Sequence, residues 1–153
     1  MEIANPAALA ALAVLGLPAC WFDIKERRLP NWLVLTTLAV GLGLAGWQGG
    51  VGVLPWHLAH VATALAVGIG LYALGALGAG DAKYYTALAG WFAFSDGLKL
   101  LMAVSFAGLV LALGWLIRRK LSGQPIIAKP VDDKQKVPLG VAMAAGALLA
   151  LLY

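Results

Sequence analysis

Between Ile3 and Phe22 the chain runs for 20 residues with Asn5 as its one polar side chain. That is the length an α-helix needs to cross about 30 Å of hydrocarbon. The pattern then repeats: Trp32 to about Trp47, Trp56 to Leu77, Tyr84 to Ser95, Leu98 to Ile117 and Pro138 to Tyr153 are further apolar runs. Polar or turn-forming stretches separate them: Asp23–Asn31, Gln48–Pro55, Gly78–Lys83, Asp96-Gly97 and Arg118–Val137. A soluble domain is about 45–50% apolar and about 25% charged. These 153 residues are 62% hydrophobic and 12% charged, which excludes a surface wetted all round. A single cysteine excludes a disulfide scaffold. The chain reads as an all-α, polytopic membrane protein with six transmembrane helices in one domain, 1–153.

The formal net charge of +4 is not a sign of nucleic acid, because the basic residues fall at helix ends, where they set orientation. With the N-terminus outside, the inner loops are 23–31, 78–83 and 118–137. They hold Lys25, Arg27, Arg28, Lys83, Arg118, Arg119, Lys120, Lys129, Lys134 and Lys136, against Lys99 alone on the outer side. Both termini are therefore expected outside the cytoplasm. Trp21 and Trp32 on the inner side and Trp47 and Trp56 on the outer side suit an interfacial belt. Leu17-Pro18-Ala19-Cys20 faintly resembles a lipoprotein cleavage box, but no Lys or Arg precedes it and Glu2 does. The first run is read as a retained helix, with Cys20 a small interior hydrophobe.

Three acidic residues lie in or beside the helices away from the long loop: Asp23, Asp81 and Asp96. Carboxylates at membrane depth are costly and usually functional. Helices two and three form an out-and-back hairpin, so Asp23 and Asp81 share the cytoplasmic side and Asp96 lies across the membrane. Tyr84–Ser95 is too short to cross, and counting back about 20 residues places the start of that crossing near Ala76, with Asp81 about a turn below the hydrocarbon edge. Gly78 and Gly80 leave room for a close neighbour. Two carboxylates in one site do not both ionise readily, so one can take a proton from water while the other, protonated, polarises a carbonyl. Spacing alone leaves a solvated loop residue as the other reading of each aspartate.

Two segments carry a family resemblance. Asp23-Ile24-Lys25-Glu26-Arg27-Arg28-Leu29-Pro30-Asn31 resembles the D-x-x-x-x-R-(I/L)-P-N segment of bacterial type IV prepilin peptidases. Gly78-Ala79-Gly80-Asp81-Ala82-Lys83 resembles their G-x-G-D-x-K signature, that of the GxGD intramembrane aspartyl proteases. Lys136-Val137-Pro138-Leu139-Gly140-Val141-Ala142 is also similar to the start of the last helix in the small members that serve tight-adherence (Flp) pili. The resemblance implies the GxGD fold, Asp23 and Asp81 as catalytic pair, and removal of a short basic leader after a glycine, on the cytoplasmic face of the inner membrane. The implied substrate is a prepilin or pseudopilin. Larger members hold paired zinc-binding cysteines and methylate the product. One cysteine and a nine-residue first loop exclude a tetrahedral cysteine site here, so cleavage without N-methylation, metal or cofactor is expected.

Other residues have two readings. Lys83 steadies Asp81 or the leader, or only marks the inner side. Arg28 contacts Asp23 or a lipid phosphate. Pro30 and Asn31 start the second helix. His57 and His60, three apart on one helix face, lie on the outer side without further metal ligands. Arg118-Arg119-Lys120 is a stop and an anionic-lipid anchor, and in the 118–137 loop Asp132 and Asp133 are the groups that suit a basic leader. Gly41, Gly43, Gly46, Gly68, Gly70 and Gly75 suit close helix packing. Outside proteolysis, the pattern admits a small ion- or proton-coupled transporter or a non-enzymatic secretion subunit; no internal inverted symmetry of the kind carriers show is visible.

Overall fold

The computed structural model describes residues 5–26, 28–122 and 138–153; the loop aspartates Asp132 and Asp133 and the basic Arg27, Lys129, Lys134 and Lys136 lie outside them. The described residues form six α-helices: α1 (Pro6–Lys25), α2 (Asn31–Gly49), α3 (Leu54–Ala73), α4 (Ala79–Ala89), α5 (Gly97–Leu121) and α6 (Leu139–Leu152). Short 3-10 turns at Val51–Val53 and Phe94–Asp96 lead into α3 and α5. Local chemistry sets the starts. The Asn5 side chain accepts from the Ala7 amide at 2.9 Å, with Pro6 next at a position that has no amide to satisfy. The carbonyl of Pro30 takes the first bonds of α2, from Leu33 and Val34.

Among the described residues, four segments are long and apolar enough to cross a membrane: Pro6–Lys25, Asn31–Gly49, Val51–Ala73 and Phe94–Leu121. The other two helices are shorter than the six-crossing expectation implies. At about 1.5 Å per residue, the 14 residues of α6 rise about 21 Å and the 11 of α4 about 16 Å. The crossing expected from near Ala76 to Ser95 is instead a helix over Ala79–Ala89. One cause lies upstream. Gly75, at φ 69°, closes a Schellman motif in which the Ala76 amide bonds the Leu71 carbonyl and the Gly75 amide bonds that of Tyr72. Helix α3 thus stops at Ala73, four residues before the expected Leu77, and Gly75 is a terminator rather than a packing residue.

These two short helices are the buried ones. Helix α6 lies between α1 and α5, and α4 packs on α3 and α2 and touches α6. Ala8, Leu12, Gly16, Ala19 and Asp23 are the buried residues of α1, at spacings of three and four that make one stripe. Small residues bring the helices close: a Cβ on Gly16 would stand 3.5 Å from that of Ala144, and one on Gly146 2.5 Å from the Cα of Val104. Gly41 seats the Trp91 ring and Gly68 faces Ala82, as packing glycines should, whereas a Cβ on Gly43 or Gly70 would meet nothing within 4 Å. Large apolar side chains such as Leu17, Leu35, Ile69, Met102 and Phe106 face outward, the arrangement of a chain solvated by lipid.

Candidate active site

Asp23 is the last buried residue of the α1 stripe, at 7% exposure. Its Oδ2 accepts the Gly140 amide at 2.8 Å, a bond spanning 117 positions of sequence. The donor belongs to the first turn of α6, where amides lack helical partners and the dipole is positive. A side chain of α1 thus caps α6. No other residue type suits position 140 in this packing, since a Cβ there would stand 2.9 Å from Oδ2, 3.0 Å from Cγ and 3.1 Å from Cβ of Asp23.

Asp81 occupies the first turn of α4. Its carboxylate folds back over the helix start, where a Cβ on Gly78 would meet Oδ2 at 2.9 Å. Gly78 therefore makes room for Asp81 itself. At Gly80 a Cβ would meet nothing within 4 Å, so no neighbour approaches there. Each carboxylate stands at the positive end of a short buried helix, which favours two anionic groups at one end of the bundle. Their fields still meet. Burial first, and then the charge of Asp23, raise the Asp81 carboxyl from 3.8 to about 6; Asp81 lies outside the four long spans.

The same end collects the other groups expected inside. Lys83 donates to Oδ1 of Asn31 at 3.4 Å, tying α4 to the start of α2. Pro30 caps that start, and Arg28 is exposed. Lys25 stacks on Trp21, and Arg119, in the last turn of α5, lies over Trp115. Asp96 and Lys99 belong to the opposite end, beside Asn5 and Gln48. Next to Asp81, Ala82 and Tyr85 open on an apolar cavity of about 550 Å³ between α3 and α5.

Two residues read as bare outer-side histidines are structural. His57 and His60 are buried, and their Nδ1 atoms bond the carbonyls of Gly90 and Phe92 at 3.0 and 3.1 Å. Helix α4 ends inside the bundle, where the carbonyls just past its end need partners from the protein. The imidazoles do so, with each Nδ1 as donor. Trp91 adds a bond from Nε1 to the Thr37 carbonyl at 2.9 Å. Among the described residues no three His, Cys, Asp or Glu side chains gather as a metal site.

No curated protein and no solved structure matches the chain. The model of the type IV leader peptidase family does match, over residues 10–113, a span that contains Asp23, Asp81 and every residue named around them except Gly140 and the end of α5. With that match over more than half its length, the chain belongs to the type IV leader peptidase family.

Proposed function

We propose that the chain is an intramembrane aspartic endopeptidase of GxGD type that removes the leader of Flp-type prepilins or pseudopilins, without methylating the product. The observation that carries this reading is the placement of two carboxylates, Asp23 on the first turn of α6 and Asp81 in the first turn of α4. Asp23 accepts a backbone amide at a helix N-terminus and suits the ionised role. Asp81, raised to about 6, suits the protonated one.

In the reaction, Asp23 removes a proton from water as the oxygen attacks the scissile carbonyl carbon. Asp81 gives its proton to the carbonyl oxygen, leaving a neutral gem-diol. Asp23 then passes its proton to the peptide nitrogen, the C–N bond breaks, and Asp81 recovers a proton from the diol. Water is consumed and both aspartates return to their starting states. Lys25, Arg28, Lys83, Arg118, Arg119 and Lys120 at the same end support a cytoplasmic site in a bacterial inner membrane, with both termini outside. Gly78 supports Asp81, and Lys83, Asn31 and Pro30 join α4 to α2 beneath it.

The test is coexpression with a tagged Flp-type prepilin in membranes. Wild type and Asp96→Asn are expected to convert precursor to mature pilin, and Asp23→Asn and Asp81→Asn to leave it uncut. Processing by both of the latter would sink the assignment.

A further inference from the structure

The apolar cavity of about 550 Å³ between α3 and α5 has the form of a groove facing the bilayer. Its α3 wall is one helical stripe, His60, Ala64, Val67 and Leu71, about 16 Å long at about 1.5 Å per residue. Its α5 wall is Leu98, Leu101 and Val104. Val67 is 56% exposed and Leu101 50%, so both walls stand open to lipid. The floor is Ala82 and Tyr85 of α4 with Met143 of α6. The turn Phe94–Asp96 touches both α3 and α5 and closes the end away from Asp81. There Phe94 stands edge-on to the His60 ring at 6.5 Å.

Asp81 stands where the floor begins. At about 100° per residue around α4, Ala82 and Tyr85 lie about 100° and about 40° to one side of Asp81. Tyr84, about 60° to the other side, is buried in the core. A peptide held with one bond at the Asp81 carboxylate therefore continues, on the Tyr85 side, into the groove. Among the described residues that line it none is Asp, Glu, Lys or Arg, so the segment that lies there is apolar. The small side chains of Ala64 and Ala82, with Gly68 between the walls, let a helix backbone come close. We propose that this groove holds the apolar membrane helix of the substrate, with the scissile bond at its Asp81 end and the adjoining turns of the helix along Val67 and Leu101. This rests on the proposed function. It adds how the site selects its bond: the seated helix fixes the distance from bilayer to cut. An acyl chain suits the same lining but brings no peptide bond to the aspartates.

Val67→Trp and Leu101→Trp fill the groove from its two walls, while Ile69→Trp and Phe106→Trp, on exposed faces of the same helices outside the groove, are the controls. Each variant, purified in detergent, is given a full-length Flp-type prepilin and a soluble peptide that spans the same bond without the helix. The groove variants should raise KM for prepilin roughly tenfold, as expected when one apolar side chain loses its buried seat, with peptide cleavage and thermal midpoint unchanged. The controls should match wild type on both substrates. Prepilin cleaved equally well by the groove variants overturns the proposal and leaves the peptidase reading standing. Equal losses on prepilin and peptide mark a distorted fold rather than a filled groove and also overturn it. In membranes, p-benzoylphenylalanine in place of Val67 or Leu101, in an Asp81→Asn background, should crosslink uncut prepilin, and in place of Ile69 or Phe106 should not. Equal yields from all four positions, or adducts with lipid alone, overturn the proposal. If wild type cleaves nothing, the peptidase reading fails and the crosslinking pattern decides the groove by itself.

Discussion

Gly140→Ala changes one methyl group on the helix that carries neither aspartate, and it should disable the site. The new Cβ would stand 2.9 Å from Oδ2, 3.0 Å from Cγ and 3.1 Å from Cβ of Asp23. Rotating the carboxylate relieves the first two contacts and not the third, because Asp23 Cβ is fixed to α1. The side chain and the helix ends must part by a few tenths of an ångström, and the 2.8 Å bond from the Gly140 amide is stretched or lost. A charge-assisted bond of this kind is worth about 1.5–3 kcal/mol. If it orients the base in the transition state, kcat falls roughly ten- to a hundredfold. Folding should weaken by about 0.5–2.5 kcal/mol, since the lost bond outweighs the gain of about 0.5–1 kcal/mol that alanine has over glycine in a helix. Gly114→Ala is the control, because nothing lies within 4 Å of its new Cβ. The assay is cleavage of purified prepilin in detergent beside the thermal midpoint of each variant. A Gly140→Ala enzyme with wild-type kcat would refute the idea that α6 holds Asp23 for catalysis.

Three further outcomes follow from the packing. Because the folded Asp81 carboxyl sits at about 6 against an ordinary 3.8, its neutral form is favoured, and stability is lost as pH rises through that window. Asp81→Asn should then raise the thermal midpoint above pH 6 and lose that advantage below pH 4; an offset independent of pH refutes the assignment. His57→Ala and His60→Ala should each cost about 1–3 kcal/mol by leaving a buried carbonyl unpaired, read as a lower midpoint, whereas an unchanged midpoint would show that the carbonyls find other partners. Gly146→Ala puts a Cβ 2.5 Å from the Cα of Val104, where backbone cannot yield, and should cost about 1–3 kcal/mol. Gly70→Ala, in open space, should be neutral or mildly stabilising, and equal midpoints for these two variants would count against the close crossing.

What could be read from the sequence was whatever depends on short-range pattern. Helices α1, α2 and α5 begin and end within four residues of their apolar runs, because hydrocarbon length and local caps set both. The aspartates stood out because charge is expensive next to lipid. The depth of α4 was hidden, since it depends on where α3 stops, and Gly75 is as suited to packing as to a left-handed turn until its neighbours are placed. His57 and His60 gave no sign of their role, because their partners are backbone carbonyls of Gly90 and Phe92, which carry no side-chain signature. Gly140 lay inside a recognised segment, yet its link to Asp23 is an amide donor 117 residues away. A signal did exist there: a glycine opening a helix next to a motif aspartate's partner segment invites a backbone contact.

The shortness of α4 bears on how the protein is made. Its 11 residues, AGDAKYYTALA, contain an aspartate, a lysine and a threonine, too little apolar length to partition into a bilayer unaided. An insertion machinery that tests each segment as it emerges would pass this one back to water. The segment stays at depth because α3 offers a face of Gly68, His60 and His57 and α2 offers the Thr37 carbonyl, and α6, synthesised after it, completes the enclosure. Asp81 is therefore enclosed only once α6, which follows it in the chain, has arrived to cap Asp23 as well. A chain cut short before α6 would leave the two carboxylates of the proposed site unassembled, so that enclosure of the site depends on a helix more than fifty residues downstream of Asp81.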